Sequence, residues 1–167
     1  RSAYPLIQVL SRALVGERAQ RGVNGHSPVE VLEAADVALE GADRLTVPGD
    51  PPRLERVLQN LLDNAVSFSP AGAPIEVMLS REGPRVIIAV SDHGPGIPES
   101  ARERIFDRFH SLRPSGEEFG KHSGLGLAIA RTIVEAHFGK LSATDRIDGE
   151  HGARLVLSLP AWRGEGA

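Results

Sequence analysis

The sequence predicts an α+β two-layer sandwich, one mixed sheet carrying helices on a single face. Three observations lead there. A capped, strongly patterned helix over 51–68 stands between short extended segments. Two strand pairs, 75–81 with 85–91 and 141–145 with 154–159, are each joined by turn residues. Helices and hairpins follow one another without the regular βαβ alternation that a doubly wound dinucleotide fold requires.

The elements follow in order. Leu6, Val9, Leu10, Ala13 and Leu14 keep helical spacing within 4–20. The stretch 23–43 supports two readings. Ser27-Pro28-Val29-Glu30 fits a helix start, with an N-cap, a first-turn proline and a capping-box glutamate. Val29-Glu30-Val31 equally alternates like a strand, and both readings stay open. Leu45-Thr46-Val47 forms a short strand before the turn Pro48-Gly49-Asp50. Asp50 then caps the helix that Pro51 opens, and Leu54, Leu58, Leu61, Leu62 and Ala65 make its buried stripe. Arg56, Asn60, Asn64 and Ser67 fall on another face, since residues four apart lie one above the other. Gly83-Pro84 turns the first hairpin. Its second strand, Val86-Ile87-Ile88-Ala89-Val90, is apolar on both faces, as a central strand is. A helix over 99–107 leads into a polar run, 111–123. Glycines open a helix over 125–136, and Asp148-Gly149-Glu150 joins the last hairpin. The chain divides into an N-terminal part, 1–50, a core, 51–160, and a tail, 161–167.

Composition narrows the function. At 167 residues, the length suits one domain or one domain with an arm. Apolar residues make up 41% and charged residues 25%, enough for a core and its surface. A net charge of −3 gives no electrostatic case for a nucleic-acid partner. The absence of cysteine excludes disulfides and thiolate metal sites, and the six histidines lack zinc-type spacing. No apolar run approaches the roughly 20 residues of a membrane span, so direct membrane contact is not expected. No signal-peptide pattern opens the chain. Because it opens on Arg1 rather than Met, the chain is expected to be a fragment.

Four constellations carry chemistry. Asp92-His93-Gly94-Pro95-Gly96-Ile97-Pro98 follows the central strand, pairing a carboxylate acceptor with glycines that let backbone approach a ligand; the same glycines would serve an ordinary turn. Ser123-Gly124-Leu125-Gly126-Leu127 opens a helix, where free N–H groups and the dipole favour a phosphate; a plain flexible loop would look similar. Asn60 and Asn64 share one helix face, and neutral amide oxygens suit Mg²⁺, although two surface asparagines would too. The run 111–123, with Arg113 and Lys121, exceeds a usual connection and is expected to be a mobile lid. There is no Gly-x-x-x-x-Gly-Lys loop and no Gly-x-Ser-x-Gly elbow.

Taken in order, these pieces resemble the ATP-binding catalytic domain of bacterial sensor histidine kinases, in the superfamily shared with gyrase, Hsp90 and MutL. Asn60-Leu61-Leu62-Asp63-Asn64-Ala65 is similar to its N box, and Asp92-x-Gly94-x-Gly96-Ile97-Pro98 to its first glycine box. Ile105-Phe106-Asp107-Arg108-Phe109 is similar to its F box, and Gly124-Leu125-Gly126-Leu127-Ala128-Ile129-Ala130 to its second glycine box. The resemblance implies the Bergerat fold and an ATP pocket between helices and sheet. Asp92 would take a hydrogen bond from the adenine amino group, with Gly94, Gly96, Ile97 and Phe68 around the nucleotide. Asn64, helped by Asn60, would hold Mg²⁺. Gly124 and Gly126, with Ser123, Leu125 and Leu127, would meet the phosphates, Arg113 or Lys121 would add charge, and Phe106 and Phe109 would anchor the lid. Asn60 stands where gyrase-type ATPases carry a water-activating glutamate, so transfer should outrun hydrolysis.

Departures from the family pattern are local. Ser67 and Phe68 replace a common Lys-Tyr, and Phe138 replaces the first of two usual glycines before Lys140. The 113–121 segment is similar to that of alphaproteobacterial kinases that sense acid and envelope stress. No histidine here is followed by the acidic residue and later proline of the family's phosphoacceptor. The resemblance therefore implies an acceptor on the parent's dimerisation and histidine-phosphotransfer domain, a response-regulator partner, and a cytoplasmic domain of an inner-membrane-anchored parent. An anti-sigma-type serine kinase and an ATP-binding pseudokinase share the fold and remain alternatives.

Overall fold

The structure, a computed structural model, describes residues 3–21, 29–33, 45–70, 72–108 and 125–163. Ala3–Pro5 (β1) runs into Leu6–Arg21 (α1), followed by Val29–Glu33 (β2) and Thr46–Pro48 (β3). Pro51–Phe68 (α2) precedes the hairpin Ile75–Glu82 (β4) and Arg85–Ser91 (β5). Gly126–Ala136 (α3) leads to the hairpin Lys140–Asp145 (β6) and Ala153–Pro160 (β7). The main sheet has the order β2-β4-β5-β7-β6, with β2 parallel to β4 and the other pairs antiparallel, so it is mixed. A separate pair, β1 with β3, was not legible in the sequence.

Helices cover one sheet face. α2 packs between α1 and α3 and against β4 and β5, and α3 reaches β6. Burial alternates along β7, as expected when one face is covered. β5 is buried continuously from Val86 to Val90 because it lies centrally. Every residue of the predicted α2 stripe is buried, joined by Val57. Each such leucine contributes about 1.5–3 kcal/mol by leaving water.

Two expectations are corrected, and the open reading of 23–43 is decided in part for a strand. Val29–Glu33 is a strand alongside β4, so the helix start read at Ser27-Pro28-Val29-Glu30 does not continue into it; the remainder of 23–43 lies outside the described residues. The stretch 99–107 is not one helix but two 3-10 turns, Glu99–Ala101 and Arg104–Phe106. Neither turn has a side-chain cap, and Ile105 and Phe106 of the second pack into the core. Asp50 occupies the N-cap position without a side-chain cap bond. Two prolines remove the first two helical N–H groups, and the carboxylate lies 3.5 Å from Arg53 Nε instead. The Ala161 and Trp162 N–H groups donate to the Pro84 and Thr46 carbonyls, each at 2.8 Å. No helix among the described residues is long and apolar enough to cross a membrane.

Candidate functional site

Asp92 follows the last residue of β5 and is buried, 3% exposed. Its Oδ1 accepts the Gly94 N–H at 2.9 Å and the Ala153 N–H at 3.0 Å. Among the described residues, Oδ2 has no hydrogen-bond partner. Burial pushes this carboxyl above the usual range, while the bonds from Ala153 and Gly94 and the charges of Arg146 and His93 pull it back. The site is thus a buried carboxyl group, anchored through one oxygen and open through the other.

The glycines after it divide by role. A Cβ on Gly94 would come 2.6 Å from the Phe68 carbonyl, so this glycine is demanded by packing against the end of α2. Gly96 has φ +83 and serves the turn. The ordinary-turn reading therefore explains Gly96, and close packing explains Gly94, without a ligand. Gly126 differs. Among the described residues a Cβ there would meet nothing closer than Asn60 at 3.8 Å, so packing against them does not require glycine.

The N box and the second glycine box touch. Asn60 Nδ2 donates to the Gly126 carbonyl at 3.0 Å, tying α2 to the first turn of α3. Asn64 lies one turn further on, half-buried, and its carbonyl accepts the Ser67 hydroxyl at 3.2 Å. Leu125 precedes α3, and Ile97 and Leu127 pack as half-buried residues on the core. Phe106 is buried in that core, and Phe68 ends α2 against Gly94. Phe109, Arg113, Lys121, Ser123 and Gly124, with the run 111–123, lie outside the described residues. Gly96 and Ile97 also wall a cleft of about 710 Å³ with Arg146 and Gly152; Asp92, Asn60 and Asn64 are not on its wall.

Sequence reasoning missed the group behind Asp92. The Arg146 guanidinium donates to Asp148 Oδ1 at 3.0 Å and Oδ2 at 2.6 Å, to Glu76 Oε1 at 2.7 Å, and to the Asp92 carbonyl at 2.9 Å. Its hydrogen bonds to Asp148, with the Glu150 N–H, hold that exposed carboxyl down at about 2. Glu76 also accepts from His93 Nε2 at 3.0 Å, and the His93 N–H donates to Ser69 Oγ at 3.0 Å. A charged residue beside a turn gives no sign that it will be buried. The available signal was Gly152, a glycine at a strand start, which marks a close backbone approach.

Residues 49–163 match the family described as histidine kinase-, DNA gyrase B- and HSP90-like ATPase. The chain is 42% identical over 164 residues to the sensor protein ChvG of Agrobacterium fabrum, covering 95% of this chain and 27% of that protein. It superimposes on the mycobacterial sensor histidine kinase MprB with a TM-score of 0.76 at 30% identity, covering 95% of this chain and 96% of the solved one. Full-length ShkA, solved in complex with AMPPNP, matches at a TM-score of 0.66 and 27% identity, over 95% of this chain and 31% of ShkA. The chain spans only about a quarter of the length of ChvG and less of several other curated relatives. With the order of motifs, the mixed sheet and these matches, the chain belongs to the histidine kinase-, gyrase B- and HSP90-like ATPase family, as a catalytic domain of the sensor histidine kinase type.

Proposed function

We propose that this chain binds ATP with Mg²⁺ and presents the γ-phosphoryl group to a histidine on the dimerisation and phosphotransfer domain of its parent, from which a response regulator is charged. The observation that carries this reading is Asp92, buried and with Oδ2 unpartnered among the described residues. A buried acceptor left open at the end of a strand suits an exocyclic amino group, which adenine has at that edge and guanine does not. ShkA's complex with AMPPNP supports a nucleoside triphosphate as the ligand.

The phosphates are assigned to the start of α3, through the N–H groups of Gly124, Leu125 and Gly126, with Ser123 and Leu127 adjoining. That packing does not require glycine at Gly126 supports a ligand as its reason. Arg113 and Lys121 are assigned to phosphate charge, Phe68, Gly94, Gly96 and Ile97 to the walls, and Phe106 with Phe109 to anchoring the segment between the boxes. Asn60 and Asn64 fit a hard cation through their amide oxygens. Two amide oxygens leave most of the octahedral shell of Mg²⁺ to the phosphates and water. Bound there, Mg²⁺ supplies charge neutralisation during phosphoryl transfer.

Asn60 cannot act as a base, and its amide nitrogen is already committed to Gly126. His93 and His137 are committed as well, to Glu76 and to Ile133 and Asp50. This supports an acceptor elsewhere. The domain is assigned to the cytoplasmic side of a membrane-anchored parent. Calorimetry tests the base site: ATP should bind and GTP poorly, and Asp92→Asn should weaken ATP by about 1–3 kcal/mol. Equal affinity for the two nucleotides would refute the assignment. Asn64→Ala should cripple transfer while metal-free nucleotide binding changes little.

A further inference from the structure

The junction between β5 and β7 contains an exchange of partners. Register pairs Ser91 with Arg154, so the next pair is Asp92 with Ala153. The Asp92 N–H donates to the Ala153 carbonyl at 2.9 Å, which marks a hydrogen-bonded pair. In an ordinary antiparallel ladder the Ala153 N–H would return the bond to the Asp92 carbonyl. Here it goes to the carboxylate Oδ1 at 3.0 Å, and the carbonyl is taken by Arg146 at 2.9 Å.

We propose that Arg146 is a positioning residue for nucleotide recognition: by capturing the Asp92 main-chain carbonyl, it frees the Ala153 N–H to hold the Asp92 carboxylate in its base-reading orientation. This rests on the reading of Asp92 as the group that meets the adenine amino hydrogen. Arg146 is 6% exposed, and a buried guanidinium is costly unless its N–H groups are bonded. Glu76 on β4 and Asp148 in the β6–β7 turn supply those bonds and aim the remaining nitrogen at Asp92. Gly152 leaves the passage open, since a Cβ there would come 2.8 Å from Arg146 Cδ and 2.0 Å from the Asp92 carbonyl. The positive charge behind Asp92 also favours its ionised form against burial. Without Arg146 the ladder can close in the ordinary way, and the carboxylate loses one of its two anchors.

The test is calorimetric titration of wild type and Arg146→Ala with ATP and with GTP, folding being checked by circular dichroism. ATP affinity should fall about tenfold or more, from loss of a charge-assisted network, while GTP affinity barely changes, so the ATP-to-GTP ratio narrows. A purely structural role would lower both nucleotides together and leave the ratio alone. Should Arg146→Ala not fold, Asp148→Asn on the exposed turn loosens the same grip and should narrow the ratio several-fold. A wild-type ratio in a folded Arg146→Ala, or in Asp148→Asn if that variant must decide, overturns the proposal. Failure of the underlying reading looks different: wild type would show no preference for ATP, or Asp92→Asn would leave it intact.

Discussion

At the residue scale, one carboxyl group does two opposed things. Burial raises the pKa of Asp92, so its charged form costs stability, and that cost is relieved as pH falls through the raised value. The base recognition proposed for Asp92 has the opposite sign, because the ionised acceptor is present above that value and lost below it. ATP affinity should therefore decline on acidification from a higher pH than an ordinary carboxylate would give, with Arg146 and His93 limiting the rise. GTP is the control, since its phosphates titrate alike. Calorimetry across pH checks this, and an ATP affinity that tracks GTP throughout would contradict it. Asp92, Asn60 and Asn64 were legible in the sequence as polar residues placed against the apolar pattern. Arg146 was not, because its burial depends on Glu76, seventy positions away, a contact no local pattern announces.

At the element scale, two helix ends show how local rules bend to tertiary partners. Asp50 sits where a cap belongs, yet His137 at the end of α3 takes over the junction: its Nε2 accepts the Asp50 N–H at 3.0 Å while Nδ1 donates to the Ile133 carbonyl at 2.8 Å. Asp50→Ala should thus cost less than the ~1 kcal/mol of a usual N-cap, and His137→Ala about 1 kcal/mol or more, by thermal unfolding. At this same C-terminal end of α3, the Gly139 and Phe138 N–H groups bond back to the Val134 and Glu135 carbonyls, at 2.9 and 3.0 Å. This is a Schellman end, and it puts Phe138 at φ 60. The sequence showed Phe138 in place of a usual glycine, and the left-handed backbone is the physical reason glycine is usual. Phe138 is 63% exposed, so Phe138→Gly should raise stability by about 1 kcal/mol, measured by denaturant unfolding. The stretch 99–107 was misread for a related reason. Its apolar residues have helical spacing over too short a length, and core packing of Ile105 and Phe106 decides the backbone instead.

At the scale of the whole molecule, the sandwich was legible because hairpins are local: a turn between two patterned strands predicts its own pairing. The parallel join of β2 to β4 and the pairing of β1 with β3 link distant segments, and nothing local specifies them. Leu6, Val9, Leu10 and Ala13 of α1, with Leu45 and Val47, share one core with the elements that carry the motifs. The fold thus assembles Asp92 at a strand end and Asn60, an amide rather than a carboxylate, against Gly126. Transfer rather than hydrolysis is what the proposed function expects of it. The most direct measurement mixes this chain, labelled ATP and Mg²⁺ with a second chain carrying the parent's phosphoacceptor helices. Acid-labile, alkali-stable label should appear on the second chain only. Turnover by the 167 residues alone should lie far below the roughly 10 s⁻¹ of a median enzyme. Robust ATP hydrolysis by this chain alone, acid-stable label, or no label on the second chain would contradict the histidine-kinase reading.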